Sequence, residues 1–197
     1  MFITVEGIDG SGKSTLARAL SEKLSERFGA NRAVLTREPT DQSPWGRRLR
    51  QSEQSGRLSR DDEIEHFHQD RLHHLETVVK PALAAGKIVV CDRYVDSLLA
   101  YQARGPADAD RLYATMSQEI LEPDLVLLLE VPVELALARI DAARGGTTSF
   151  EREETLRRAA AIYVSRNGVR YHRLDASKPP EAVLAQALAV VLAAAGK

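Results

Sequence analysis

One cysteine, Cys91, stands in all 197 residues. The chain can therefore form no internal disulfide, and a thiol within Ile88-Val89-Val90-Cys91 reads as a core residue of a protein at home in a reducing cytoplasm. An excess of charge of either sign is equally missing: 27 Lys and Arg against 28 Asp and Glu leave a net charge of −1. Such a balance offers no broad field to a phosphodiester backbone, so nucleic acid is not an expected partner. No apolar run approaches the roughly 18 residues that would cross a bilayer, and no cationic stretch leading into an apolar core opens the chain. Neither a membrane partner nor export is expected, and the expected location is cytoplasmic. Internal repeats and interdomain linkers are absent as well, which predicts a single domain over residues 1–197.

What is present is alternation. Short β-rich runs at Phe2–Glu6, Ala33–Arg37, Lys87–Asp92, Asp124–Val131 and Val169–Leu174 are separated by helical patterns. Helices are expected at Lys13–Phe28, twice between Ser43 and Ala85, once or twice within Asp96–Glu122, and at Pro132–Ala143, Phe150–Ser165 and Pro180–Ala195. This order predicts an α/β fold, a five-stranded parallel sheet with helices on both faces. Gly29 and Gly86 mark helix ends, and Pro132 and Pro180 suit first helical turns. The small polar stretch Arg144-Gly145-Gly146-Thr147-Thr148-Ser149 has little to bury and is expected to be a mobile loop.

The most specific signal follows the first strand. Glu6-Gly7-Ile8-Asp9-Gly10-Ser11-Gly12-Lys13-Ser14-Thr15 contains G-x-x-x-x-G-K-S between a strand and a helix. Glycines at 7, 10 and 12 let backbone N–H groups of the loop, including that of Ser11, turn toward phosphate oxygens. The N-terminus of the following helix aims its positive end at the same oxygens, and the Lys13 ammonium can span terminal phosphates. Ser14 supplies a hydroxyl for Mg²⁺, with Thr15 beside it. A nucleoside triphosphate is the expected ligand.

Polar residues at the carboxyl ends of parallel strands point to a ligand crevice. Here those ends carry Arg37-Glu38-Pro39-Thr40, Asp92-Arg93-Tyr94 and Glu130. Asp92, closing an apolar strand, is the expected partner of Mg²⁺, directly or through water. Arg93 next to it can grip phosphate oxygens two at a time. Arg37, Arg47, Arg48, Arg50, Arg71, Arg93, Arg104, Arg139, Arg144 and Arg152 exceed what one triphosphate needs, so a second anionic substrate is implied, although some of these arginines are ordinary surface charges. Phosphoryl transfer between two anions rests on positioning and charge neutralisation, which is work for arginines.

The order and spacing of four pieces resemble the thymidylate kinases, P-loop enzymes of the nucleoside monophosphate kinase type. These are Val5 through Thr15, Arg37-Glu38-Pro39-Thr40, Phe67 through Asp70-Arg71 to His74, and Asp92-Arg93-Tyr94 with Ser97 and Ala100-Tyr101-Gln102. The resemblance implies transfer of the γ-phosphoryl group of ATP to dTMP, with Mg²⁺ carried by ATP, and a homodimer. It implies that Asp9 approaches the sugar 3′-hydroxyl and Mg²⁺, Arg93 holds the acceptor phosphate, Phe67 stacks on the pyrimidine and Arg71 hydrogen-bonds the base. Tyr101 would fill the space beside the sugar 2′-carbon. Arg37, Pro39, Arg50, Ser97 and Gln102 complete the implied acceptor set.

The phosphate loop carries no arginine between its glycines, so a lid over about residues 142–152 is expected to supply one. Arg144 is the first candidate, with Arg139 and Arg152 behind it. Leu98 stands where many relatives place a polar residue that reaches the base, which keeps open a kinase for another nucleoside monophosphate or a nucleoside. A catalytically silent nucleotide-binding switch is the alternative from another class, and the retained Asp9, Lys13, Asp92 and Arg93 speak against it. Four histidines, His66, His68, His73 and His74, crowd one segment and are expected on an exposed helix face rather than in a metal site.

Overall fold

A computed structural model describes residues 1–144 and 150–196, with the side chains of residues 53, 54, 144, 150 and 151 outside that description. Its centre is β1 (Phe2–Gly7), buried along its whole length. A strand buried on both faces sits inside a sheet, and β1 pairs in parallel with β3 (Ile88–Asp92) on one side and β4 (Leu125–Glu130) on the other. β2 (Ala33–Arg37) lies outside β3, and β5 (Tyr171–Asp175) lies outside β4. The order β2-β3-β1-β4-β5 is parallel throughout, as the alternation predicts. The chain leaves β1 first toward β2 and β3 and later crosses to β4. A crevice therefore opens beyond the carboxyl end of β1, where ligands of such sheets collect.

Helices cover both faces. On one, Ile3 and Val5 pack with Leu16, Leu20 and Leu24 of α1 (Lys13–Phe28) and with Val183, Ala187 and Val191 of α9 (Pro180–Ala195). On the other, Phe2, Val89 and Leu128 pack beneath α5 (Val95–Gln102), α6 (Pro106–Met116), α7 (Val133–Arg144) and α8 (Phe150–Ser165). Each fully buried leucine contributes about 2 kcal/mol.

The segment between Ser43 and Ala85 holds the two expected helical rods. Ser43 caps α2 (Pro44–Ser55) by accepting from Gly46 N–H at 2.8 Å. Ser59 caps α3 (Arg60–His74), whose first turn carries Asp61, Asp62 and Glu63. α3 does not stop at His74. It widens into a π-helical turn (Leu75–Val79) and continues as α4 (Lys80–Ala84), a feature without a sequence signature. β5 begins two residues later than the sequence suggests. Gly168 adopts φ 125°, and Tyr171 N–H bonds its carbonyl at 3.0 Å, so Val169 and Arg170 still belong to the turn. No helix among the described residues is long and apolar enough to cross a membrane.

Candidate active site

The phosphate loop is pressed between β4 and α7, and its glycines are what make that possible. Gly7 has φ 142°, and a Cβ there would stand 2.6 Å from the Leu129 carbonyl oxygen; at Gly10, φ 79°, it would stand 2.3 Å from that of Ala136. Gly12 precedes the first turn of α1, so the turn's free N–H groups face the hollow of the loop. Lys13 lies folded over that hollow. Its ammonium donates to the Ile8 carbonyl at 2.8 Å and stands 3.6 Å from Asp9. Burial, with the neighbouring Arg93 charge, lowers its pKa to about 8 against the pull of Asp9, Asp92 and Glu6.

Two buried oxygens here have no hydrogen-bond partner among the described residues, Ser11 Oγ in the loop and Asp92 Oδ1 beside it. The other Asp92 oxygen, Oδ2, accepts from the Ser14 hydroxyl. Thr15 is exposed next to Ser14. Arg139 reaches the loop from α7, donating to Gly10 O at 3.5 Å and to Ala176 O at 2.9 Å.

On the far side of Asp9 a cavity of about 360 Å³ opens, a size suited to a nucleotide-like ligand. Of the residues assigned to the acceptor, Asp9, Pro39, Phe67, Arg71, Arg93, Ser97, Tyr101 and Gln102 line it. Arg37 and Arg50 are not among its lining. Strand alternation carries Arg37 outward, where it pairs with Asp41 at 2.7 Å, while Glu38 turns in. The Arg50 guanidinium is taken up by Asp41 and the Pro39 carbonyl.

Asp9 links the two halves. Its N–H donates to Tyr101 Oη at 2.8 Å, its carboxylate is bonded by the Arg93 guanidinium, and that guanidinium lies 5.7 Å from the Tyr101 ring centre. Burial works against ionisation of Asp9, but the Arg93 and Lys13 charges outweigh it and hold its pKa at about 2. Arg93 itself has φ 72°, a left-handed conformation that costs a non-glycine residue about 1–3 kcal/mol and that persists where surrounding contacts over-determine it. Three do so here. Arg93 N–H donates to Val5 O at 3.0 Å, Cys91 Sγ donates to Arg93 O at 3.0 Å, and the next residue, Tyr94, donates its N–H to Glu6 at 2.7 Å.

Glu6, Glu38, Glu63 and Arg57 are site residues that sequence reasoning missed. Glu6 is wholly buried and accepts also from Ser97 Oγ at 2.6 Å and Tyr163 Oη at 3.1 Å; burial and then the nearby Asp96 raise its pKa to about 7. Glu63 binds Arg57 through two 3.0 Å bonds and Gln102 Nε2 through one of 2.6 Å. Glu38 binds Arg71 and His74. For Glu6 and Glu38 the available signal was an acidic residue inside or at the end of a β-rich run, which must find partners when buried; Glu63, in the first turn of α3, and Arg57, in the loop before it, carried none.

The expected lid falls partly out of view. Residues 145–149 lie outside the described residues, as does the side chain of Arg144. Arg152 Nη1 lies 3.5 Å from Asp141. His74 corrects the expectation of exposed histidines: it is 1% exposed, drawn inward by Glu38.

A backbone cradle for a triphosphate facing a cavity with a guanidinium at its mouth, on this sheet order, defines a phosphotransferase of the P-loop kinase class. Comparison with known proteins narrows the class. Residues 5–187 match the family model described as thymidylate kinase. Thymidylate kinase from Xanthomonas campestris pv. campestris is 45% identical over 194 residues, covering 98% of this chain and 84% of that one, and thymidylate kinase from Xylella fastidiosa is 39% identical over 193 residues, covering 98% and 90%. A crystal structure of thymidylate kinase from Ehrlichia chaffeensis superposes with a TM-score of 0.73 at 30% identity, covering 97% of this chain and 98% of that one. The chain belongs to the thymidylate kinase family.

Proposed function

We propose that the enzyme transfers the γ-phosphoryl group of ATP to dTMP, giving dTDP and ADP, by direct in-line displacement without a phosphoenzyme. The observation that carries this reading is the Asp9–Arg93 pair, set between the phosphate loop and the 360 Å³ cavity. Gly7, Gly10, Ser11, Gly12, Lys13, Ser14 and Thr15 would hold the triphosphate. Lys13 would leave the Ile8 carbonyl for the phosphates, whose charge would restore the ammonium that burial weakens. Arg93 would exchange Asp9 for the acceptor phosphate, freeing Asp9 to orient the attacking group. Phe67 would lie against the pyrimidine, Arg71 would meet its polar edge, and Tyr101 would close the space beside C2′. Pro39, Ser97 and Gln102 would shape the remaining wall, with Arg37 and Arg50 holding the loop behind it.

Mg²⁺ brought with ATP would sit at Ser14 and Asp92 and supply charge neutralisation across the phosphates. The residues fit it: Asp92 Oδ1 is buried without a partner, and Ser14 is exposed beside it. No group of three or more His, Cys, Asp or Glu among the described residues could hold a metal alone, as suits an ion that keeps water and phosphate ligands. We further propose one kinase domain over 1–197 with a lid at about 142–152 bearing Arg144, working in the cytoplasm as a homodimer, on the strength of the family resemblance.

The test is ADP release with Mg·ATP and dTMP, dUMP, dGMP, dCMP, CMP, UMP, AMP or thymidine as acceptor. A clear preference for dTMP is expected. Turnover of another acceptor instead would move the assignment within the kinases, a reading favoured by apolar Leu98 in the cavity wall. ATP binding with no turnover of any acceptor would contradict a kinase.

A further inference from the structure

Arg71 reaches the acceptor cavity from α3, yet its guanidinium is 1% exposed and held from behind. Its Nε donates to Glu38 Oε2 at 2.9 Å, its Nη2 is ion-paired with the same oxygen at 2.8 Å, and its Cζ lies 4.9 Å from the Tyr94 ring centre. Among the described residues Nη1 meets a weak acceptor, Met116 Sδ, at 4.0 Å. One edge of the fork is thus committed to Glu38. The pose of the remaining edge depends on where Glu38 is held.

Glu38 is held by His74. Its second oxygen, Oε1, accepts from His74 Nδ1 at 3.0 Å, and His74 Nε2 lies 2.7 Å from Thr36 Oγ1. A ring carrying its proton on Nδ1 donates to the carboxylate, and its Nε2 is met by the threonine hydroxyl, so both ring nitrogens in the chain Thr36–His74–Glu38 have a partner. Arg71 and Glu38 then cancel in a buried cluster, which spares it an unpaired charge. The helix carrying Phe67 and Arg71 widens into its π turn immediately after His74, a form of local distortion that recurs at functional sites. Thr36 and His74 also face a second hollow of about 160 Å³ on the outer side of β2. Their side chains separate that hollow from Glu38 and Arg71.

We propose that His74 is a positioning residue for the acceptor base: backed by Thr36, it fixes Glu38 and, through it, presents Arg71 to the cavity in one pose. This rests on the reading of the cavity as the dTMP site. Removing the ring would leave one carboxylate oxygen unbonded, admit water from the outer hollow and let the Arg71 fork turn.

The experiment measures kcat and both KM values for wild type, His74→Ala, His74→Asn and Thr36→Val, with thermal midpoints alongside. His74→Ala should raise KM for dTMP about tenfold, with KM for ATP and kcat within about twofold. His74→Asn keeps an N–H donor at the position of Nδ1 and should recover most of that loss, while Thr36→Val should raise the same KM by about threefold. An unchanged KM for dTMP in His74→Ala, equal increases in both KM values, or an asparagine variant no better than alanine would overturn the role. If His74→Ala does not fold, an unmoved KM for dTMP in both other variants overturns it. A wild-type enzyme inactive on dTMP would instead overturn the functional reading, and this role with it.

Discussion

The donor end and the acceptor end of the site are built in different ways. The phosphate cradle is ten consecutive residues, shaped by backbone conformation at Gly7, Gly10 and Gly12 and by the start of one helix. The acceptor cavity is an assembly of side chains from the loops that follow β1, β2 and β3 and from α2, α3, α5 and α8. It is held by pairs far apart in sequence, Glu38 with Arg71 and Glu6 with Ser97 and Tyr163. Backbone donors suit a ligand group common to every nucleoside triphosphate. Side chains braced by buried carboxylates suit an acceptor that must be told from its analogues, because a misplaced or unpaired polar group costs most where water is excluded. The loop serves affinity for a phosphate, and the braced cavity serves choice.

The largest expected break is at the donor end. Lys13→Ala should lower kcat/KM by about 10²–10³, since it removes charge stabilisation where phosphoryl transfer develops it, and the dTMP affinity measured by titration should change little. A comparable loss of dTMP affinity would show that the two ends are not separable.

A smaller effect lies in the bracing, and pH reveals it. Burial and then the nearby Asp96 raise Glu6 from 4.5 to about 7 in the folded chain, so between those values the native state binds more protons than the unfolded one. Stability from this group is full below the unfolded pKa and falls as pH rises to about 7, by an amount on the order of 3 kcal/mol. Glu6→Gln should flatten that fall in thermal midpoints taken at about pH 5 and about pH 8. An unchanged pH dependence would mean that Glu6 is ionised and well compensated in the fold.

The smallest effect concerns the strained turn. Arg93→Gly should be more stable than Arg93→Ala by about 1 kcal/mol in denaturant unfolding, because glycine accepts φ 72° without strain while alanine does not. Equal stabilities would remove the account of Arg93 as a residue held against its backbone preference.

The difference between the two ends also decides what could be read from sequence. Local determinants were legible: the strands, the glycine loop, the ends of α1, α8 and α9, and the arrangement Asp92-Arg93 after β3. Phe67 and Arg71 share a helix face at a spacing of one turn, so they too were within reach. What escaped depends on long-range partners. Their place in or after a strand marks Glu38 and Glu6 as acids that need partners, but nothing near Glu38 names Arg71 and His74, and nothing near Glu6 names Tyr163. His74 looked like one of four ordinary surface histidines because its neighbours in sequence are polar. Arg37 and Arg50 carried the right charge but lie outside the cavity lining, since Asp41 and the Pro39 carbonyl engage them. The left-handed turn at Arg93 and the π turn after His74 leave no trace in residue type at all.

The most direct measurement is calorimetric titration of dTMP and, separately, of ADP into wild type and Arg93→Ala. The division into a backbone-built donor end and a side-chain-built acceptor end predicts that dTMP affinity falls by about tenfold or more while ADP affinity stays within about twofold. Equal losses for both nucleotides would contradict it.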